Sequence, residues 1–177
     1  MSDLRDKIDS LVHRIHATFP VEPVPSGLDV VSYEDDECVE VQEAFSGLRW
    51  CAVPRAVLEV HYDDLPLLTP KAYHYYIPAC LSYSLRRLPP TDEPWVENIP
   101  PSLSASDYQP LVDFTIYSLD FSSPHRLELY APYFTGPQAT VVREWPALVA
   151  ANGAVFDTDY EAVQRVSTIW RKISREP

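Results

Sequence analysis

The chain has 177 residues, 46% hydrophobic and 23% charged, with a net charge of −12. That composition is globular and excludes wholesale disorder; no run approaches 18 uncharged apolar residues, which excludes a membrane span, and four glycines exclude a glycine-rich phosphate loop. Three widely spaced cysteines exclude a disulfide scaffold, and the charged start Met-Ser-Asp-Leu-Arg-Asp lacks an apolar signal core, so the expectation is a cytoplasmic protein with free thiols and no membrane partner.

Residues 1–177 are long enough for one core and are read as a single globular domain. The expected fold is mainly α: an irregular bundle of about five main helices, near 3–17, 34–45, 70–88, 135–151 and 158–173, with a long Pro-rich connection. Leu4, Ile8, Leu11, Val12 and Ile15 recur at helical spacing, and Phe19-Pro20 ends that stripe. Next, Glu34, Asp35, Asp36 and Glu37 suit the positive end of a helix whose inner face is Cys38, Val41 and Phe45, with Gly47 free to take positive φ beyond it. Pro54 could open a short helix bearing Val57, Leu58 and His61.

Thr69-Pro70 is an N-cap followed by proline at the first helical position. The stripe Tyr73, Ile77, Cys80, Leu81, Ser84, Leu85 and Leu88 follows, with Pro78 expected to kink it. Residues 89–110 hold six prolines and no helical stripe, and read as the long connection. The aromatic and β-branched residues 111–121 suit either a short strand or a short buried helix. A short helix is expected over 125–134. Thr135, Pro137 and Gln138 open another with Val141, Val142, Trp145, Leu148 and Val149 inward, and the last carries Tyr160, Val163, Val166, Ile169, Trp170 and Ile173.

The acids are unevenly placed. Between His16 and Arg49 there are eight acids and no Lys or Arg, and between Arg87 and Arg126 six acids and none, while the remainder is +2. Such a field repels phosphate backbones, so nucleic acid is not expected as a ligand. A basic protein partner is favoured, because complementary fields speed encounter. With Cys38, Val41 and Phe45 inward, Asp36, Glu40 and Glu43 form one outward stripe, the expected partner-binding residues. Acidic stripes also serve solubility alone.

Motifs for chemistry are sparse. Asp9, His13 and His16 share a helical face but match no metal-site pattern. His61 beside Asp63 and Asp64 could form an acid–base pair or a metal site, although Asp63 and Asp64 also suit a turn before Leu65-Pro66. Cys38, Cys51 and Cys80 have no C-x-x-C spacing, and there is no G-x-S-x-G elbow. No catalytic, cofactor or metal site is expected. Eleven tyrosines, four of them Tyr73, Tyr75, Tyr76 and Tyr83, suit core edges or a binding surface.

The run Leu68-Thr69-Pro70-Lys71-Ala72-Tyr73-His74-Tyr75-Tyr76-Ile77-Pro78-Ala79 resembles the central block of an uncharacterised bacterial domain family, [ST]-P-x-A-[FY]-x-[FY]-Y-[LI]-P-A. Three further features are similar to that family: the acidic segment Glu34–Phe45, Trp50, and Phe134-Thr135-Gly136-Pro137-Gln138 leading into a helix. Lys71 stands where an acid is usual, Ile77 for Leu, and Cys80 for an aromatic. The resemblance carries no assigned catalytic residue. By analogy of size, charge and style it implies an immunity protein that neutralises a basic toxin domain by occluding its active site. The alternatives are a small enzyme using His61 with Asp63 or Asp64, and an adaptor with no toxin partner.

Overall fold

A computed structural model describes residues 2–31, 36–86, 110–156 and 158–174. Helix α1 spans Ser2–Thr18, α2 Asp36–Phe45, α3 Arg55–Val60, α4 Pro70–Arg86 and α5 Pro110–Leu119. Helix α6 spans Pro124–Tyr130, α7 Gly136–Ala151, the short α8 Gly153–Phe156, and α9 Tyr160–Ile173. Single 3-10 turns occupy Gly27–Asp29, Trp50–Ala52, Leu65–Leu67 and Ala131–Tyr133. The fold is mainly α, as expected. Eight helices of six residues or more lie within the described residues, against the five main ones expected. Residues 34 and 35 and the connection over 87–109 lie outside the described residues.

Within the stretch 111–121, residues 111–119 are helical rather than a strand, and Asp120 and Phe121 lie beyond the helix end. Leu111, Val112, Thr115, Ile116 and Leu119 are buried, a spacing of helical period that a strand would split between two faces. Its hydroxyls suit a helix as well: Thr115 Oγ1 donates to the Leu111 carbonyl at 2.6 Å and Ser118 Oγ to the Thr115 carbonyl at 2.9 Å. Among the described residues the only extended pairing is an isolated bridge between Val31 and Leu68.

Helix α4 is the hub, packing against α1, α3, α5 and α6, while α7 packs against α1 and α9. Its start is fixed by Thr69, whose Oγ1 accepts the Ala72 N–H at 3.1 Å and donates to the Asp29 carbonyl at 2.6 Å. The helix continues through Pro78, and α7 likewise continues through Pro146. Thr135 and Gln138 form a reciprocal capping box at the start of α7. Asp159 caps α9 by accepting the N–H groups of Glu161 and Ala162. Gly47 follows α2 at φ 74°, the left-handed value its position requires.

Among the described residues the buried apolar side chains other than Leu111 form one cluster. Trp50, Trp145 and Trp170 are at its centre, and each indole N–H is satisfied. Trp50 donates to the Pro20 carbonyl at 3.1 Å, Trp145 to Leu81 at 3.1 Å and Trp170 to Leu119 at 2.9 Å. Burying an indole without such an acceptor would forfeit part of the gain from its large apolar area.

Candidate partner-binding surface

Helix α2 buries Cys38, Val41 and Phe45, all 1% exposed or less, and so fixes its orientation. Phe45 packs on the Tyr76 ring at 4.9 Å and meets the His61 ring edge-on at 6.1 Å. Asp36, Glu40 and Glu43 are therefore turned outward, and all three are exposed, with Glu37 and Val39 beside them. Among the described residues no ion pair is formed by Asp36, Glu40 or Glu43. Elsewhere carboxylates do find cations: Glu22 with Arg49, Glu59 with Arg55, Asp120 with Arg165, and Glu144 with Arg14. The described residues thus present an acidic stripe whose orientation is set by a buried inner face.

The second set of candidates is only partly brought together. His61 Nδ1 lies 2.7 Å from Asp64 Oδ2, with both side chains less than one-fifth exposed. Asp63 is exposed and stays outside this pair. The pair closes the turn between α3 and the 3-10 turn at Leu65, where Asp64 precedes the first residue without capping it through its side chain. A carboxylate on Nδ1 is the arrangement that orients an imidazole for proton transfer. Among the described residues no group of three or more His, Cys, Asp or Glu side chains is placed to hold a metal. Asp9, His13 and His16 are all exposed, and the His16 ring meets Trp50 at a tilt, centroids 4.6 Å apart.

The tyrosines of α4 are structural. Tyr73 donates to the Ser118 carbonyl at 2.8 Å, Tyr75 to Val21 at 2.7 Å, and Tyr76 to Phe45 at 2.6 Å and Leu48 at 3.2 Å. Tyr83 donates to the Glu59 carboxylate at 2.8 Å. Burial pushes the Tyr73 and Tyr76 phenols well above their ordinary range, so both remain donors at physiological pH. Burial also pushes the Cys80 thiol up to about 12, which removes it as a nucleophile. All three cysteines are free, with Cys38 and Cys80 buried and Cys51 exposed.

Two features had no counterpart in the sequence reading. One is a groove of about 510 Å3 between α1 and α7, walled by Leu11, Leu148, Ala147, Ala151 and the Arg14–Glu144 pair. The other is a hydrogen bond from His74 on α4 to Gln138 on α7 at 3.0 Å. Its signal was present, because His74 and Gln138 belong to the two motif segments already singled out. Compared with family models, curated proteins and solved structures, the chain matches none.

Proposed function

We propose that the chain is a protein-binding module that docks on a basic protein domain through the outward face of α2. The observation that carries this reading is the stripe Asp36, Glu40 and Glu43, exposed and without a cation among the described residues. The net charge of −12 supports it by favouring encounter with a basic surface. The resemblance of the Thr69–Ala79 run gives the reading its most concrete form. The chain acts in the bacterial cytoplasm as an immunity protein, occluding the active site of a cognate toxin domain, with no chemistry or cofactor of its own.

The test is the variant Asp36→Lys, Glu40→Lys, Glu43→Lys, titrated against a toxin domain encoded beside the chain. Binding should weaken by about tenfold or more, with slower association and a shallower salt dependence. A folded triple variant that binds and protects like its parent removes α2 from the interface. A parent chain that binds no neighbouring toxin removes the immunity reading and leaves the adaptor.

The His61–Asp64 pair favours one second reading, a small enzyme with His61 as its proton-transfer group. Replacing His61, Asp63 and Asp64 together should leave protection intact under the first reading. Loss of a measurable activity, or of one equivalent of bound metal, in that variant supports the second.

A further inference from the structure

The two motif segments converge on one side chain. His74 projects from α4 into a cage made by Phe19 from the end of α1 and by Phe134 and Tyr133 from the turn before α7, with ring centroids 5.7, 4.9 and 6.5 Å away. Its Nε2 lies 3.0 Å from Gln138 Oε1, and Gln138 is 4% exposed. That same oxygen accepts the backbone N–H of Thr135 at 2.9 Å. An atom that accepts a backbone N–H is the amide oxygen and not the nitrogen, so His74 Nε2 is the donor. The neutral imidazole therefore carries its proton on Nε2 and ties α4 to the capping box that starts α7. Phe134 extends the contact by packing edge-on against Trp170 of α9 at 4.9 Å.

What faces this ring is uncharged. The α1 end contributes a phenyl ring, the turn a phenyl ring and the Tyr133 phenol, and α7 the neutral amide of Gln138. On α4 itself the charge one turn earlier is Lys71, which reaches away to Asp29 at 3.5 Å. Among the described residues no carboxylate forms an ion pair with His74.

We propose that His74 is a proton-sensitive latch: neutral, it holds the 133–138 segment and the first turn of α7 against α4, and protonation weakens that hold. A second proton would go to Nδ1 and put a full charge on a half-buried ring among aromatic side chains, with the Gln138 amide oxygen as its hydrogen-bond partner. Desolvating that charge costs more than one neutral acceptor returns. The direction of the titration agrees, since burial lowers the His74 imidazole from its ordinary value of 6.5 and the Gln138 bond opposes this without prevailing. A group that binds its proton more weakly closed than open shifts the equilibrium toward the open form as the proton binds.

The test follows the full chain by NMR from pH 7.5 to 4.5. His74 should titrate below 6.5 from the Nε2–H tautomer. Over the same range, amide protection at 135–139 should fall, by about tenfold for each unit that the closed form lies below 6.5. The Val41 amide in α2 should keep its protection. Gln138→Glu keeps the capping-box chemistry and supplies a carboxylate, so the His74 midpoint should rise by a unit or more and the latch should hold at lower pH. His74→Gln should abolish the pH response at 135–139; where that variant fails to fold, the parent and Gln138→Glu carry the test. The proposal is overturned if His74 titrates at or above 6.5 in the parent. It is also overturned if protection at 135–139 stays level through that titration, or if Gln138→Glu leaves the midpoint unmoved.

Discussion

Single side chains on α4 hold the irregular segments in place. Tyr76 is fully buried, and its hydroxyl serves the carbonyls of Phe45 and Leu48, at the point where α2 ends and has spent its own donors. Tyr76→Phe keeps the ring and leaves those carbonyls without this donor. The expected cost is about 1–3 kcal/mol, read from the urea midpoint at unchanged slope. The cysteines give a second residue-level prediction. Cys38 and Cys80 are buried and Cys51 is exposed. A thiol reagent should modify one cysteine in the native protein and all three after unfolding under non-reducing conditions. Fewer than three in the unfolded chain would reveal a bridge.

Helices α2, α5 and α9 are stopped and started by different means, and that difference decides which of them can be read from sequence. Helix α9 is capped locally by Asp159, whose carboxylate accepts two backbone N–H groups at 2.9 and 3.2 Å. Asp159→Ala should destabilise the protein by about 1 kcal/mol in chemical denaturation, and Asp159→Asn by much less. The C-terminal end of α5 is instead satisfied from far away in the chain. Ser118 carbonyl accepts Tyr73 and Arg126, and Leu119 carbonyl accepts Trp170. The Arg126 guanidinium also lies 5.7–5.8 Å from the ring centroids of Tyr117, Phe121 and Tyr130, a cation set at a helix C-terminus. None of these donors is visible within residues 111–121, which is why that stretch read equally well as strand.

Over the whole molecule, His16, His74 and Asp120, all shifted downward, make acid destabilising. Burial lowers His74, and burial with the charges of Arg86 and His13 lowers His16. A histidine lowered on folding leaves stability complete above 6.5 and removes it as pH falls from there toward the folded value. Burial by itself would raise Asp120, but hydrogen bonds from Arg165 and Ser122 bring it below the ordinary 3.8, so its contribution is lost only at still lower pH. Two steps are therefore expected in the urea midpoint against pH, one beginning near 6.5 and one below 3.8. A midpoint that stays level from pH 7.5 to 5.5 would remove the histidine step. Across the same molecule the net charge of −12 opposes compaction, and added salt screens it.

The sequence by itself determined the helical class and most of the inward faces, with Tyr160 at the start of α9 standing exposed instead. Ile8, Leu11, Val12 and Ile15 of α1, Cys38, Val41 and Phe45 of α2, and Val163, Val166 and Trp170 of α9 are buried as their spacing required. The 3.6-residue period is local, so no knowledge of the partner element is needed. Capping signals at Thr69 and Thr135 are local in the same way, and the outward acidic stripe on α2 follows as the complement of its inner face. Tertiary structure alone decided that 111–119 is helical, that Tyr75 is buried beneath the Val21 carbonyl, and that Asp64 and not Asp63 meets His61. It also decided that His74 reaches Gln138, 64 residues away. Each of these depends on which donor finds which acceptor once separate helices have packed, and hydrogen-bond partners chosen across such distances leave no period in the sequence.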